Sequence, residues 1–339
     1  MQRNVKRLVT ICLIVSCLTP AIVYSQIKNE ASAVPVIWRD PGDITTRDLR
    51  FGSGGPQLLP TAPYTFISED KGGESPKFEV EDAKGVRWIV KLGEEAQAET
   101  VATRLVWSVG YFAEEAYYLP SVRIRRLPEL SRGMEYVGRR GLVRGARFEP
   151  RRSHIKRGDT WDWNDNPFRD TQELSGLKIL MILLNNYDAR KENNRIFHVT
   201  DTASDSIEAW HVVTDLGATL GRAGGLGGKR SKNSLSDFLS TQFVKGVHDD
   251  GSVQFDYDTR PRGLGHFSVL HLPYYRGEVK KEKAMRGIPV EHARWIGSLL
   301  SQLTDAQLRD AFDAAGYNRA TTEGYVKALR ERIDQLAKL

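Results

Sequence analysis

The chain has 339 residues, of which 40% are hydrophobic and 27% are charged, and its formal net charge is +6. These values are typical of a soluble globular protein that is long enough for one large two-lobed domain or two smaller ones. Arg3, Lys6 and Arg7 supply about half of the net charge, and we predict that they are removed with the N-terminus. The remaining charge is too small to indicate a nucleic-acid partner, so none is expected.

Residues 1–25 have the pattern of a signal peptide. Their basic residues precede a short apolar stretch at 8–15, and residues 23–25 offer small side chains to a signal peptidase. Pro20 interrupts the apolar stretch, which barely reaches the length of a membrane span. We therefore expect cleavage after Ser25 and export to the periplasm or the extracellular space, with no transmembrane span in the mature protein.

Both cysteines of the chain, Cys12 and Cys17, lie in this segment. The mature protein is therefore expected to contain neither disulfide bonds nor thiolate chemistry. Residues 14–17, with the sequence Ile-Val-Ser-Cys, also approximate a lipobox. A lipid anchor at Cys17 is thus an alternative to free secretion.

The first elements after the signal are predicted to be a leader and a small sheet. Residues 26–60 are rich in proline, glycine and polar residues, which indicates a leader with short turns. The runs that follow alternate in polarity and are separated by turn residues, as in an antiparallel meander. Helical spacing of apolar residues ahead of Gly110 then predicts a helix. The predicted elements are strands at 64–67, 77–81 and 87–92, a helix at 94–109 and a strand at 117–127.

The remainder of the chain is predicted to be mostly helical. Asp170-x-x-Glu173 resembles a capping box at the start of a strongly apolar helix. Thr304-x-x-Gln307 gives the same signal for a C-terminal helix. The other predicted elements are a strand at 207–214 and a final amphipathic helix at 325–336.

A basic segment between Arg123 and Arg157 contains many arginines and few acids. We interpret it as a solvated surface, because runs of like charge usually face water. A site for phosphate or for an acidic substrate is the alternative.

Lys91 and Glu99 form the first candidate binding site. Lys91 ends the third predicted strand, and Glu99 lies on the helix that follows. A lysine held by such a glutamate can bind the α- and β-phosphates of a nucleotide. The alternative is a pair of unrelated surface side chains.

The loop at 70–76, with the sequence Asp-Lys-Gly-Gly-Glu-Ser-Pro, connects the first two predicted strands. Gly72 and Gly73 would let backbone N–H groups approach phosphates. The same glycines also suit an ordinary hairpin turn.

Polar residues follow two later apolar runs. Asp188 comes after the predicted apolar helix, where it can orient an acceptor hydroxyl or accept its proton, and Arg190 can neutralise a phosphoryl group in transfer. Asn193 and Asp215 each carry an oxygen that suits Mg²⁺, and Asp215 begins an Asp-Leu-Gly sequence. Individually such residues are usually caps or turns. The functional prediction depends on their order along the chain.

This ordered set of motifs resembles the protein-kinase-like fold over residues 64–217. The loop sequence at 73–77, Gly-Glu-Ser-Pro-Lys, is similar to the phosphate loop of HipA-type serine kinases. The export signal and the two asparagines after the aspartate are similar to those of secreted casein-kinase-like enzymes. The resemblance implies an α+β, two-lobed protein. Its N-lobe, at 61–135, would hold a small antiparallel sheet and one helix, and its C-lobe, at 136–339, would be mostly helical.

The resemblance also implies an ATP-dependent phosphotransferase that uses Mg²⁺ or Mn²⁺ and transfers the γ-phosphoryl group to the hydroxyl of a protein, a sugar or a small molecule. Lys91 would bind phosphates and Glu99 would hold it, while Asp188 would be the catalytic acidic residue. The implied site residues are catalytic Asp188 and Arg190, nucleotide-binding Gly72, Gly73, Ser75, Lys77, Lys91 and Glu99, and metal-binding Asn193 and Asp215.

Several features differ from typical protein kinases. Lys91 and Glu99 are unusually close in sequence, Asn186-Tyr187 replaces the usual His-Arg, and no Ala-Pro-Glu follows Asp215. ATP is also scarce outside the cytoplasm. A pseudokinase or binding module on the same scaffold and a nucleotidyl transferase are therefore alternatives.

Two other functional classes do not fit the sequence. The glycine-rich stretch at 224–229 has Ala223 and Arg230 where a P-loop requires glycine and a hydroxyl residue. The seven histidines show no paired helical spacing, so a zinc site is not expected.

Overall fold

The computed structural model describes residues 33–201, 206–226, 230–259, 261–262 and 272–339. The predicted signal peptide at 1–25, with Cys17, and the first residues of the leader lie outside the described residues. Within the described ranges, no helix is both long enough and apolar enough to cross a membrane.

A six-stranded sheet forms the core of the first lobe, in the order β4-β3-β2-β5-β7-β6. The strands between residues 34 and 150 are β1 Val34–Val36, β2 Tyr64–Asp70, β3 Lys77–Glu81, β4 Arg87–Leu92, β5 Tyr117–Arg125, β6 Val137–Gly138 and β7 Leu142–Pro150, of which all but β1 belong to this sheet. The predicted antiparallel meander of β2, β3 and β4 is confirmed. Apolar side chains alternate along these strands, and Phe78, Val80, Trp88 and Val90 are completely buried between them.

Strand β7 extends the first lobe beyond the boundary at residue 135 that the sequence suggests. It pairs with β5 and also with β4, where Lys91 lies opposite Arg147 and Ile89 lies opposite Glu149. The sheet of this lobe therefore continues to Pro150. Its last strand places Arg147 and Glu149 beside the lysine strand.

Helix α1, Glu95–Ser108, follows β4 as predicted. Its apolar positions, including Val101 and Leu105, are buried in the main core. Gly110 ends the turn after the helix with a φ of +97°, and a Cβ there would lie 2.2 Å from the backbone oxygen of Arg39. Only glycine fits this position, and the turn fixes where α1 stops.

The second lobe combines helices with a four-stranded sheet in the order β1-β10-β9-β8. Its helices are α2 Gln172–Leu183, α3 Leu235–Leu239, α4 Leu272–Ala284, α5 Val290–Leu300, α6 Asp305–Ala314 and α7 Arg319–Ala337. Its strands are β8 Ile155–Arg157, β9 Asn194–Asp201, β10 Ser206–Val213, β11 Gly225–Leu226, β12 Val244–Val247, β13 Val253–Phe255 and β14 Pro261–Arg262. Strand β1 of the leader joins this sheet in parallel with β10.

The two predicted capping boxes differ in outcome. Thr304 and Gln307 form the complete reciprocal box at the start of α6. At α2 the cap is Thr171, whose Oγ1 accepts the N–H of Leu174, whereas Asp170 has a left-handed φ of +64°. The prediction of Asp170 as the cap is therefore wrong by one residue, because the hydroxyl of Thr171 provides the N-cap.

The hairpin of β9 and β10 brings two distant parts of the sequence together. Asn193 precedes β9 and Asp215 follows β10, and the N–H of Thr214 donates to the backbone oxygen of Asn193 at 2.8 Å. A sheet-bearing lobe with one helix is thus followed by a mostly helical lobe. The predicted α+β, two-lobed arrangement is confirmed.

Candidate active site

Lys91 lies at the centre of the candidate site, at the end of β4, and is only 5% exposed. Its Nζ is 3.0 Å from Glu99 Oε2, 2.7 Å from Glu95 Oε2 and 2.6 Å from Asp215 Oδ1. The two glutamates come from α1, and Asp215 comes from the second lobe. Carboxylates of both lobes therefore meet on one ammonium group.

The electrostatics of this group keep Lys91 charged. Burial alone would lower the pKa of the Lys91 ammonium, but Glu99, Asp215 and Glu95 outweigh it and raise the pKa. Burial raises the pKa of the Glu99 carboxyl, and Arg147 and Lys91 oppose this effect. Arg147 Nε lies 3.3 Å from the Glu99 oxygen that Lys91 also contacts. Glu99 thus holds two cations, and Lys91 is positively charged at neutral pH.

Glu95 is a site residue that the sequence analysis does not identify. Its Oε2 accepts a hydrogen bond from Ser75 Oγ at 2.7 Å, and its Oε1 contacts Lys232 Nζ at 2.6 Å. Burial alone would raise the pKa of Glu95, but Lys91 and Lys232, together with the bond from Ser75, lower it to about 2. The signal available in the sequence is its place in the first turn of α1, directly after the lysine strand.

Asp188, Arg190 and Asn193 form a second group in the segment between α2 and β9. Arg190 contacts both carboxylate oxygens of Asp188, at 2.7 and 3.0 Å. Asn193 Nδ2 donates to the backbone oxygen and to Oδ2 of Asp188, each at 2.9 Å. Burial raises the pKa of the Asp188 carboxyl, while Arg190 and Asn193 act in the opposite direction. The segment therefore presents a fixed carboxylate that can accept a proton.

The loop between β2 and β3 lines the same cavity as Asp188, Arg190 and Asn193. The N–H of Gly72 donates to Asp70 Oδ1 at 2.9 Å, and Gly73 adopts a left-handed φ of +68°. Lys77 Nζ lies 3.6 Å from Asp70 Oδ2. Through its contact with Glu95, Ser75 connects the loop to α1.

A cavity of about 450 Å³, the cleft, collects most of the predicted residues. The predicted residues that line it are Gly73, Ser75, Lys77, Lys91, Glu99, Asp188, Arg190, Asn193 and Asp215, whereas Gly72 does not. A second cavity of about 470 Å³ adjoins the cleft and shares Asp188 and Arg190 with it. Asp188 therefore lines both cavities.

Three carboxylates in the cleft are candidate ligands for a metal ion. One oxygen each from Glu95, Glu99 and Asp215 lie within 4.8 Å of one another. Hard cations such as Mg²⁺ and Mn²⁺ prefer oxygen ligands of this kind. Asn193 uses its amide nitrogen to bond to Asp188, so its amide oxygen is the atom that a metal would use. All three carboxylates also contact Lys91 Nζ, so a divalent cation would have to share these oxygens with the ammonium group.

Arg147 is an exception to the interpretation of the basic segment as solvated surface, which holds for exposed Arg139, Arg140, Arg144 and Arg151. It is 4% exposed, and its Nη2 donates to Glu149 Oε2 at 3.0 Å. Farther along the wall, Arg157 contacts both Glu114 and Glu149. The charges alternate from Lys91 to Glu114, so each buried ion has an opposite neighbour. The signal in the sequence is the spacing of Arg147 and Glu149, which puts both on one face of β7.

Comparison with known proteins gives matches only among solved structures. No protein-family model matches the sequence, and no curated protein gives a significant match. The chain is similar to the proinflammatory kinase CtkA of Helicobacter pylori, with 12% identity and a TM-score of 0.45 over 82% of this chain and 98% of that chain. It is also similar to a Golgi casein kinase with Mn and ADP bound, with 10% identity and a TM-score of 0.37 over 82% of this chain and 73% of that chain. At these values, functional conclusions depend on the side chains of this chain.

Proposed function

We propose that this protein is an exported phosphotransferase that uses ATP with Mg²⁺ or Mn²⁺ and transfers the γ-phosphoryl group to a hydroxyl acceptor. The observation that carries the proposal is the meeting of Lys91, Glu99 and Asp215 in direct contact, with Asp188 on the wall of the same cleft. Asp188 and Asp215 are widely separated in sequence from Lys91 and Glu99. Their convergence in one cavity supports a nucleotide site more strongly than their order along the chain does.

The two lobes would contribute different residues to the reaction. Lys91, positioned by Glu99, would bind phosphate oxygens, and the loop with Gly73 and Ser75 would cover them. A bound metal would neutralise phosphate charge and fix the geometry of transfer. Asp188, whose pKa is raised by burial, would orient the acceptor hydroxyl and take its proton.

Arg190 and Asn193 would support this step. Arg190 sets the charge next to Asp188, and Asn193 fixes the orientation of the carboxylate through its amide nitrogen. The second cavity, which shares Asp188 and Arg190 with the cleft, would hold the acceptor. Protein, sugar and small-molecule hydroxyls are all acceptors compatible with this arrangement.

Two alternatives make different predictions. A pseudokinase or binding module would bind nucleotide without transferring a phosphoryl group. This alternative is considered because ATP is scarce outside the cytoplasm. A nucleotidyl transferase would attach the nucleotide itself. Retention of both Lys91 and Asp188 in the cleft favours phosphoryl transfer over a purely binding role.

The test begins with the melting temperature of the purified mature protein during titration with Mg-ATP. We expect stabilisation that grows with ligand concentration by mass action, and its absence with both Mg²⁺ and Mn²⁺ would contradict the proposal. Mass spectrometry of acceptors after incubation then separates added phosphate from added nucleotide. Export is tested separately, by locating the protein and determining the N-terminal residue of its mature form.

A further inference from the structure

A cavity of about 580 Å³ lies outside the cleft and has no part in the proposed reaction. We call it the rear cavity. Aromatic side chains form much of its wall, and the volume lies in the range of sites for small organic ligands. Its lining includes Arg47, Ser53, Trp107, Phe112, Ala113 and Trp210.

The rear cavity is separated from the cleft by a charged wall. Glu114, Glu149, Arg151 and Arg157 line both cavities. Arg157 contacts both glutamates, so the wall is internally paired. The proposed phosphotransfer residues Lys91, Asp188 and Asp215 do not line the rear cavity, and the proposed reaction therefore does not use it.

The aromatic part of the wall is preorganised for a flat ring. Phe112 and Trp210 are stacked, with ring centroids 4.3 Å apart and planes inclined by 9°. Trp210 is held in place because its Nε1 donates to Glu208 Oε2 at 2.6 Å. Aromatic surfaces of this kind favour stacked or edge-on contact with another ring.

The charges of the rear cavity favour an anion. Five arginines and three glutamates line it. Its glutamates are already paired, Glu115 with Arg152 and the other two with Arg157. Arg39 is paired with Glu208, so among the described residues the uncancelled positive charge of the wall comes from Arg47 and Arg151.

Arg47 is the cation best placed to meet a ligand. Its guanidinium lies 4.6 Å from the centroid of Trp107 and donates to the backbone oxygens of Trp107 and Pro41, at 2.8 and 3.2 Å. In the part of the chain that the structure describes, no carboxylate pairs with it. A half-buried guanidinium without a counter-ion, beside an aromatic ring, is a good partner for a sulfonate or carboxylate.

We propose that the rear cavity binds a flat aromatic anion, with its ring against the aromatic wall and its carboxylate or sulfonate paired with Arg47. This inference goes beyond the proposed phosphotransferase function and does not depend on it. A cationic ligand would meet the excess of arginines, and a neutral ring would leave Arg47 without a counter-ion.

Two matched fluorescent probes test the proposal on the intact mature protein. They are 8-anilinonaphthalene-1-sulfonate and N-phenyl-1-naphthylamine, which share the same rings but differ in the sulfonate. We expect saturable binding of the sulfonate at one site and much weaker binding of the neutral probe. Arg47→Gln should weaken sulfonate binding by about tenfold or more, the equivalent of a lost charge-assisted hydrogen bond, and leave the neutral probe unchanged.

The controls separate this site from nonspecific dye binding. Arg50→Gln changes an exposed arginine outside the cavity and should leave both probes unaffected. Ala113→Phe should fill the cavity and abolish sulfonate binding, and Ser53→Trp provides a second filling variant at an exposed part of the wall if the first does not fold. Near-ultraviolet circular dichroism establishes that each variant is folded.

Three outcomes would overturn the proposal: no saturable binding of the sulfonate, equal binding of the neutral probe, or sulfonate binding that survives a filling substitution in a folded variant. None of them bears on the proposed phosphotransferase activity, because these titrations contain no nucleotide. The nucleotide titration described above tests that activity by itself.

Discussion

Lys91 Nζ and Asp215 Oδ1 lie 2.6 Å apart, although 124 residues separate them in the chain. This contact joins the strand that ends the first-lobe meander to the segment after β10 in the second lobe. Lys91 is almost completely buried, whereas the Asp215 side chain is 51% exposed. The two partners should therefore respond differently to substitution.

Lys91→Met should reduce both stability and activity. It leaves buried Glu99 with one cation fewer, and removal of one partner of a buried pair typically costs about 3 kcal/mol in the free energy of unfolding. Asp215→Asn should cost about 1 kcal/mol or less, because exposed ion pairs contribute little. Both should lower kcat/KM by roughly a hundredfold or more. Urea unfolding and steady-state kinetics measure the two effects, and wild-type activity in a folded Asp215→Asn variant would contradict the assigned site.

Glu95→Gln should make the protein less sensitive to acid. The folded-state pKa of Glu95 is lowered to about 2 from an ordinary value near 4.5, so its contribution to stability is present above pH 4.5 and is lost as the pH falls through about 2. The contribution is on the order of 3 kcal/mol. Unfolding free energies measured between pH 2 and pH 7 should therefore vary less in the variant than in the wild type. Glu94→Gln, at the exposed neighbouring position, is the matched control and should behave like the wild type.

Metal binding can be tested with Glu95→Gln and Asp215→Asn, with Glu94→Gln as the control. If Glu95 and Asp215 supply ligands, Mn-ADP should raise the melting temperature of the wild type and of Glu94→Gln, and EDTA should remove the effect. Glu95→Gln and Asp215→Asn should each lose most of the stabilisation, because each removes a carboxylate ligand. An unchanged metal-dependent shift in both variants would exclude these carboxylates as ligands.

Arg190 should set the acid limb of the pH–rate profile. Arg190 lowers the pKa of Asp188 against the effect of burial, which raises it. Arg190→Gln should therefore raise that pKa, and the fall of kcat/KM on acidification should begin at a higher pH. Arg190→Lys retains the positive charge and should keep a profile closer to that of the wild type. A profile that does not move with Arg190→Gln would argue against Asp188 as the proton acceptor.

The elements of the first lobe could be predicted from the sequence because their signals are local. Alternation of apolar residues marks β3, and helical spacing before Gly110 marks α1, with bounds that differ by one residue at each end. The short strand β1 has no such signal, because it is defined by its pairing with β10. Its assignment to the second lobe requires the tertiary structure.

In the candidate site too, some residues can be predicted from the local sequence and others only from the tertiary structure. Lys91, Asp188 and Asp215 each follow an apolar element, and this position reveals them in the sequence. Arg147 lies in a basic run that favours a solvated surface, and only the pairing of β7 with β4 places it against Glu99. Glu95 is hidden for a related reason, because its contacts with Ser75 and Lys232 come from distant parts of the chain.

The place of β1 in the sheet has a practical consequence for producing the protein. Residues 34–36 cover the backbone of β10 along Glu208 to Trp210. A shortened version that begins at β2 would leave this edge unpaired, and exposed edges of this kind favour aggregation. Expression boundaries drawn only around the proposed catalytic lobes would therefore yield a less soluble protein, although every proposed catalytic residue would be retained.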